Sequence, residues 1–201
     1  SRKEFLSTHQ LADRPLVALL PGSRKQEIIG KLPRMLKVIP HFPDYEFVVA
    51  GSETIDLSLY EKYTEGRVKV VFGATYDILH HASAALVTSG TATLETALLG
   101  VPQVVCYKPG WLTYKLLKRI VSIKYICLVN LILDKMAVQE LIEGDLNEQR
   151  LVKELKLLFD EDNRQRILAD YASLKTKLGG TGASERVAQL MFNELNHQAA
   201  E

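Results

Sequence analysis

A glycine, a hydroxyl residue and an arginine follow an apolar run near the start of this chain. The run is PLVALL at residues 15–20, and Gly22, Ser23 and Arg24 come directly after Pro21. Glycine lets the backbone approach a ligand closely, Ser23 can cap a following helix, and Arg24 offers a fixed fork of donors to a diphosphate. Such a turn is common in proteins, so alone it is only a weak indication of a phosphate site.

A second turn of the same kind lies near the middle of the chain. Ser89, Gly90 and Thr91 follow the apolar run at residues 84–88, and a short helical pattern carrying Glu95 comes next. Free amides at the start of a helix bind anions. Glu95 can be a ligand-binding carboxylate or simply an acid stabilised by the helix dipole. Together the two turns predict a site for a phosphorylated ligand.

The elements that would position these turns alternate between apolar strands and helical segments. Continuous apolar runs of this length predict buried strands, and the intervening segments are long enough for helical crossovers. We therefore predict an α/β fold, a doubly wound Rossmann-like parallel sheet, with ligands at the carboxyl ends of its strands. After residue 140 the pattern predicts only helices, at 147–159, 164–178 and 183–195. The predicted strands are residues 15–20, 45–50, 68–72, 84–88, 103–107 and 125–129.

Length and composition predict one domain. The chain has 201 residues, 47% of them hydrophobic, and the polar residues 1–14 are expected to be a linker before a domain at 15–180 and a final helix at 181–201. The net charge of +1 gives no indication of nucleic-acid binding. Cys106 and Cys127 lie in apolar runs without metal-ligand spacing, so we expect both to be buried, and we expect no metal site.

Basic and aromatic residues alternate over residues 111–124. Trp111 opens this segment, and Lys115, Lys118, Arg119 and Lys124 follow among apolar residues. This pattern is typical of a helix lying on an anionic membrane surface. It is equally typical of an ordinary helix that packs on the sheet and exposes its lysines, so the residues leave both interpretations open.

Three segments carry a resemblance to a known family. They are LLPGSRKQEI at 19–28, TSGTATLETALLGVPQVVCYK at 88–108 and KYICLVNLILDKMAVQELIEGD at 124–145. In this order they resemble lipid-A-disaccharide synthase, an inverting glycosyltransferase of lipopolysaccharide assembly with the two-domain GT-B fold. The resemblance runs from about residue 15 to 195. It covers only the carboxyl half of such an enzyme, the half that binds the nucleotide sugar.

The resemblance implies substrates and roles for particular residues. The donor would be UDP-2,3-diacylglucosamine and the acceptor 2,3-diacylglucosamine 1-phosphate. Both turns would hold the diphosphate, with neither a metal nor another cofactor. Glu95 would bind the ribose, Glu140 would belong to the donor site, and Asn130 would lie near the reacting groups as a possible catalytic residue. Val129 and Glu143 stand where the family often has proline and glutamine.

The resemblance also implies a setting for the chain. The acceptor's general base is expected in the amino-terminal domain, so we expect this chain alone not to form disaccharide. We expect a cytoplasmic protein at the inner membrane, with a homodimer possible. Two alternatives remain on the residues alone. One is another UDP-sugar enzyme of the same fold, such as an epimerase or a peptidoglycan N-acetylglucosaminyltransferase, and the other is a non-catalytic nucleotide-binding module.

Overall fold

The computed structural model of the chain describes residues 1–108, 124–179, 182 and 188–192. Within these residues the strands form one six-stranded sheet in which every neighbouring pair is parallel. The predicted α/β architecture is therefore confirmed. The strands are Leu16–Leu20 (β1), Glu46–Gly51 (β2), Lys69–Phe72 (β3), Ala82–Thr88 (β4), Gln103–Tyr107 (β5) and Gln139–Ile142 (β6).

Helices connect the strands and follow the last one. Short 3-10 helices span Leu36–His41 and Glu143–Asp145, and residues 188–192 are also helical. The α-helices of the described residues are Arg2–His9 (α1), Lys25–Met35 (α2), Leu57–Thr64 (α3), Thr75–His81 (α4), Thr91–Leu98 (α5), Leu128–Leu133 (α6), Glu148–Leu157 (α7) and Glu161–Leu178 (α8).

The sheet is covered on both faces, which explains why its central strand is apolar throughout. Val17 and Leu19 of β1 belong to one hydrophobic cluster, whereas Leu16, Ala18 and Leu20 belong to another on the opposite face. Successive strand residues point to opposite faces, so a strand buried on both faces has no polar alternation. This is the physical origin of the run PLVALL.

The strand order creates a crevice between β1 and β4. The order is β3-β2-β1-β4-β5-β6, so the chain proceeds outward from β1 in one direction and from β4 in the other. In open α/β sheets, ligands bind at the carboxyl ends of the strands where the order reverses. Both predicted phosphate turns follow the two strands that flank this point.

The predicted sixth strand at residues 125–129 is wrong. Residues 128–133 form α6 instead, and the sixth strand is β6, which pairs with β5 from Val104↔Gln139 to Tyr107↔Ile142. A short continuous apolar run is found both in buried strands and in buried helices. Its hydrophobic pattern alone therefore does not tell the two apart. The prediction of helices alone after residue 140 is wrong for the same element, since β6 extends to Ile142.

Residues 1–14 are folded against the domain. Phe5, Leu6 and Leu11 are buried in the cluster that covers one face of the sheet. The Arg2 guanidinium donates to the carbonyl oxygens of Arg14 at 2.7 Å and His81 at 3.1 Å. The segment therefore packs against the sheet through α1 and the residues that follow it, and its role as an interdomain linker stays a prediction.

Two segments for which the sequence makes predictions lie wholly or mostly outside the residues that the structure describes. The basic aromatic segment lies outside the described residues except for Lys124, and so does most of the final helix. No helix in the described part of the chain has the length and apolar character needed to cross a membrane. Cys106 and Cys127 are both fully buried, as predicted, and burial raises the pKa of each thiol to about 12.

Candidate functional site

A cavity of about 470 Å³ opens at the carboxyl ends of β1, β2 and β4. It lies at the point where the strand order reverses, and its volume falls in the range of small-molecule sites. Seven of the nine residues predicted for donor binding line it. They are Gly22, Ser23, Arg24, Ser89, Gly90, Thr91 and Glu95.

The first turn is closed from below by a carboxylate. Glu27 Oε2 accepts hydrogen bonds from the backbone amides of Ser23 at 3.1 Å and Arg24 at 3.3 Å. Gly22 has φ +115°, and a Cβ there would lie 2.3 Å from Glu27 Oε2. Only glycine fits this turn, both because of its backbone angle and because the carboxylate fills the space. Arg24 occupies the N-cap of α2, so the expected cap by Ser23 is wrong.

The Arg24 side chain lines the cavity and is largely open to solvent. It is 83% exposed, and its guanidinium lies 3.9 Å from Glu27 Oε1. An ion pair at this distance, with its guanidinium in solvent and Glu27 half-buried, contributes little to stability, so the guanidinium can turn toward a ligand at small cost. Its planar fork of donors suits two phosphate oxygens at once.

The second turn presents the start of a helix to the cavity. Gly90 is the N-cap of α5 with φ 147°, and as a glycine it has no side chain to cap the free amides of this helix start. Thr93 Oγ1 donates to the Gly90 carbonyl at 2.8 Å and thereby fixes the turn. The amides at the beginning of α5 carry the positive end of the helix dipole, which favours an anion. Glu95 lies one turn further along α5 and also lines the cavity.

Lys31 lies buried beneath both turns, and the sequence analysis missed it. Its side chain is 4% exposed, and its Nζ donates to Thr88 Oγ1 and stands 4.0 Å from Glu27 Oε1. Burial lowers the pKa of Lys31, and the Glu27 carboxylate partly opposes that shift. A signal was present in the sequence: Lys31 occupies a position of the apolar face of α2, three residues after Ile28 and one before Leu32.

Asn130 and Glu140 do not line the cavity; they form a buried network behind it. Asn130 Oδ1 accepts from the amides of Ala137 and Val138, and its Nδ2 donates to Val138 O and to Glu140 Oε1, both at 2.8 Å. Glu140 also accepts from the amides of Ile126 and Cys127. Both side chains are thus engaged in holding α6 and the segment before it.

The buried network reaches the second turn through Ile126. The Ile126 amide is held by Glu140, and the Ile126 carbonyl lies 3.5 Å from Ser89 Oγ, which donates to it. A change at Asn130 or Glu140 can therefore move the segment against which Ser89 rests. The structure places these two residues as supports of the site, and direct contact of either with a ligand stays a prediction.

Comparison with known sequences identifies the family. The sequence model of the lipid-A-disaccharide synthetase family matches residues 1–193. The lipid-A-disaccharide synthase of Syntrophus aciditrophicus is 40% identical over 94% of this chain, which covers 52% of that protein. The synthase of Anaeromyxobacter dehalogenans strain 2CP-1 is 36% identical over 89% of this chain and 49% of its own length.

Solved structures share the fold at low sequence identity. The Staphylococcus aureus protein of the MnaA–UDP structure covers 95% of this chain with a TM-score of 0.63 and 14% identity, over 48% of its own length. The glycosyltransferase WaaG covers 94% at TM-score 0.59 and 14% identity, over 50% of its length. The C-terminal CMP-Kdo binding domain of Acinetobacter baumannii WaaA has TM-score 0.56 and 13% identity, with 85% of this chain and 94% of that domain covered.

These comparisons agree with the resemblance carried by the three segments. The chain spans about half the length of the curated relatives it matches. The structural likenesses, all below 25% identity, support the sheet and its helices as a half of the GT-B architecture. By the match of its sequence over residues 1–193, this chain belongs to the lipid-A-disaccharide synthetase family.

Proposed function

We propose that this chain is the donor-binding half of an inverting glycosyltransferase. The complete enzyme would transfer the sugar of UDP-2,3-diacylglucosamine to 2,3-diacylglucosamine 1-phosphate, with release of UDP, to form the lipid A disaccharide. The observation that carries this proposal is the cavity between β1 and β4, which collects both predicted phosphate turns and Glu95. The names of the relatives support the reaction.

The diphosphate would bind between the two turns. The N-cap of α5 is Gly90, which has no side chain to bond the free amides, and the exposed Arg24 side chain lines the same cavity. Negative charge grows on the diphosphate as the sugar leaves, so fixed donors placed around it stabilise the transition state. The amides of Ser23 and Arg24 donate to Glu27, so a phosphate could use them only after Glu27 moves.

The ribose would lie against α5. Glu95 is half-buried and lines the same cavity as Gly90 and Thr91, one helical turn from the proposed phosphate position. A carboxylate can accept hydrogen bonds from both ribose hydroxyls. Asn130 and Glu140 would act from behind, by holding Ile126 beside Ser89.

We predict that this chain binds UDP and that magnesium changes the affinity little. The proposed ligands of the diphosphate are amides, hydroxyls and a guanidinium, which need no cation to bind an anion. Calorimetric titration of UDP into the chain, with magnesium and with EDTA, measures this directly. The result against the proposal is either no binding at millimolar UDP or binding that EDTA abolishes.

The acylated substrates place the enzyme at a membrane in this proposal. Residues 111–124 carry Lys115, Lys118, Arg119 and Lys124 beside Trp111 in sequence, and we propose that they contact an anionic surface on the cytoplasmic side of the inner membrane. Each cation near such a surface contributes about 1 kcal/mol, so binding should weaken with salt.

We predict salt-sensitive co-sedimentation of the chain with vesicles that contain anionic lipid. Changing Lys115, Lys118 and Arg119 together to glutamine should abolish most of it, because three favourable charges are lost. The matched control replaces Lys3, Lys153 and Lys156, which lie on α1 and α7 outside the segment. Equal sedimentation of the triple variant and the original chain would contradict the membrane proposal.

The alternatives from the sequence are separated by substrate. An epimerase or a peptidoglycan N-acetylglucosaminyltransferase acts on a UDP-sugar without acyl chains, whereas the family match favours the lipid A donor. Competition between UDP-N-acetylglucosamine and UDP-2,3-diacylglucosamine for the chain should favour the acylated ligand. A non-catalytic nucleotide-binding module would instead bind UDP and the two UDP-sugars with equal affinity.

A further inference from the structure

Helix α2 carries a buried ammonium where its pattern calls for an apolar residue. Ile28, Leu32 and Met35 of the same face are all fully buried, and Lys31 among them is 4% exposed. Burial disfavours the charged form of a lysine, as the lowered pKa of Lys31 reflects. Replacing a buried ion pair by a well-packed apolar side chain is often neutral or stabilising. Folding therefore does not explain why a lysine stands here.

The contacts of Lys31 join the two phosphate turns. On one side its Nζ donates to Thr88 Oγ1, at the end of β4, and Thr88 lines the cavity directly before the Ser89-Gly90-Thr91 turn. On the other side it stands 4.0 Å from the Glu27 carboxylate. Glu27 in turn accepts from the amides of the first turn.

The charges around Lys31 are unevenly placed. Glu27 of α2 favours its protonated form, and Arg24 disfavours it from the cavity side. The Cys106 thiol of β5 faces it from the sheet, and burial raises the pKa of that thiol to about 12, so Cys106 stays neutral at ordinary pH. Glu27 is thus the anionic partner of Lys31 in these contacts, and the two charged groups stand 4.0 Å apart.

We propose that Lys31 is a positioning residue for the donor diphosphate. It fixes the Thr88 hydroxyl at the second turn, and it receives the Glu27 carboxylate when a phosphate takes the Ser23 and Arg24 amides. Without Lys31, Glu27 would either stay in the first turn and compete with the phosphate for its amides, or leave as an unpaired charge, and either outcome would weaken binding of the diphosphate. This inference rests on the proposed function, because it assigns a role within the same cavity.

The test compares UDP with uridine, which lacks the phosphates. Lys31→Met keeps the length of the side chain and removes its charge. We expect it to bind UDP about tenfold more weakly, in line with the loss of one charge-assisted contact, and uridine within about twofold of the original chain. Its melting temperature should be unchanged, because the Glu27 carboxylate left behind is 26% exposed and keeps its hydrogen bonds with the Ser23 and Arg24 amides. Lys37→Met, at an exposed lysine beyond α2, is the matched control.

A double-mutant cycle tests the link through Thr88. Thr88→Val removes the hydroxyl at nearly constant shape, and we expect the Lys31→Met/Thr88→Val variant to bind UDP no more weakly than Lys31→Met alone. Residues that act as one unit are non-additive in this way. Thr88→Val alone should lower the affinity for UDP. Thr88→Ser keeps the hydroxyl and should bind UDP nearly as tightly as the original chain. These Thr88 variants test the link even if Lys31→Met fails to fold.

The outcomes separate this inference from the function on which it rests. If the original chain does not bind UDP, both fall. If it binds UDP and Lys31→Met binds UDP equally well, only the role of Lys31 is overturned. Equal losses for UDP and uridine together with a lower melting temperature would make Lys31 a structural residue and overturn the inference, as would additive effects in the cycle.

Discussion

Asn130→Ala is expected to lower the free energy of unfolding by about 3 kcal/mol. The Asn130 side chain is fully buried, and its amide bonds the backbone of Ala137 and Val138 and the carboxylate of Glu140. Alanine would leave two buried amides without their acceptor and remove a donor from a buried carboxylate. Each buried polar group left unsatisfied costs about 1 to 3 kcal/mol, partly recovered where water enters. Urea unfolding followed by circular dichroism measures the loss.

Asn147→Ala is the matched control for this effect. Asn147 is exposed and caps α7 by accepting from the Arg150 amide at 3.0 Å. Loss of an N-cap costs about 1 kcal/mol, so the two asparagines should differ about threefold in their effect. A loss at Asn130 no greater than that at Asn147 would show that the buried network does not hold the fold in the way described.

The same variant also probes the path from this network to the cavity. Glu140 holds the Ile126 amide, and the Ile126 carbonyl accepts from Ser89 Oγ. If Asn130 acts only through this path, Asn130→Ala should lower the affinity for UDP under conditions where the protein remains folded. If Asn130 instead contacts the sugar directly, the affinity for UDP should be unchanged and only the affinity for the complete UDP-sugar donor should fall.

The sequence predicted the parts of the site that depend on local signals. Gly22 and Gly90 follow strands whose residues are apolar on both faces, and both glycines have positive φ angles that few other residues adopt. The position of the cavity follows from the same signals, because parallel strands place their carboxyl ends at one edge of the sheet. Five of the six strands were recognisable for this reason.

The parts that the sequence did not predict depend on contacts distant along the chain. β6 consists of Gln139, Glu140, Leu141 and Ile142, and this composition carries little strand preference. It is a strand because β5 offers a parallel edge and because Asn130 and Glu140 bond across the intervening turn. The burial of Lys31 likewise depends on Thr88, 57 residues away. Hydrophobic pattern and strand propensity do not indicate that β6 pairs with β5 or that Lys31 contacts Thr88.

Arg24→Ala and Glu95→Ala should separate the two halves of the nucleotide. Arg24 is assigned to the diphosphate. Its loss should therefore lower the affinity for UDP about ten- to a hundredfold and leave the affinity for uridine within about twofold of the original chain. Glu95 is assigned to the ribose. Its loss should therefore lower the affinities for UDP and for uridine alike, each also by about ten- to a hundredfold. These magnitudes follow from about 1.5 to 3 kcal/mol for a hydrogen bond that involves a charged group.

The exposure of Arg24 makes this comparison clean. The Arg24 side chain is 83% exposed, and its ion pair with Glu27 is long at 3.9 Å, so removing it should change the melting temperature little. Arg67→Ala, at an exposed arginine beyond α3 and away from the cavity, is the control and should alter neither ligand. Titration calorimetry of all three variants gives the affinities. Identical profiles of Arg24→Ala and Glu95→Ala against the two ligands would contradict the assignment of phosphate to one side of the cavity and ribose to the other, because a single disturbance of the fold would then explain both.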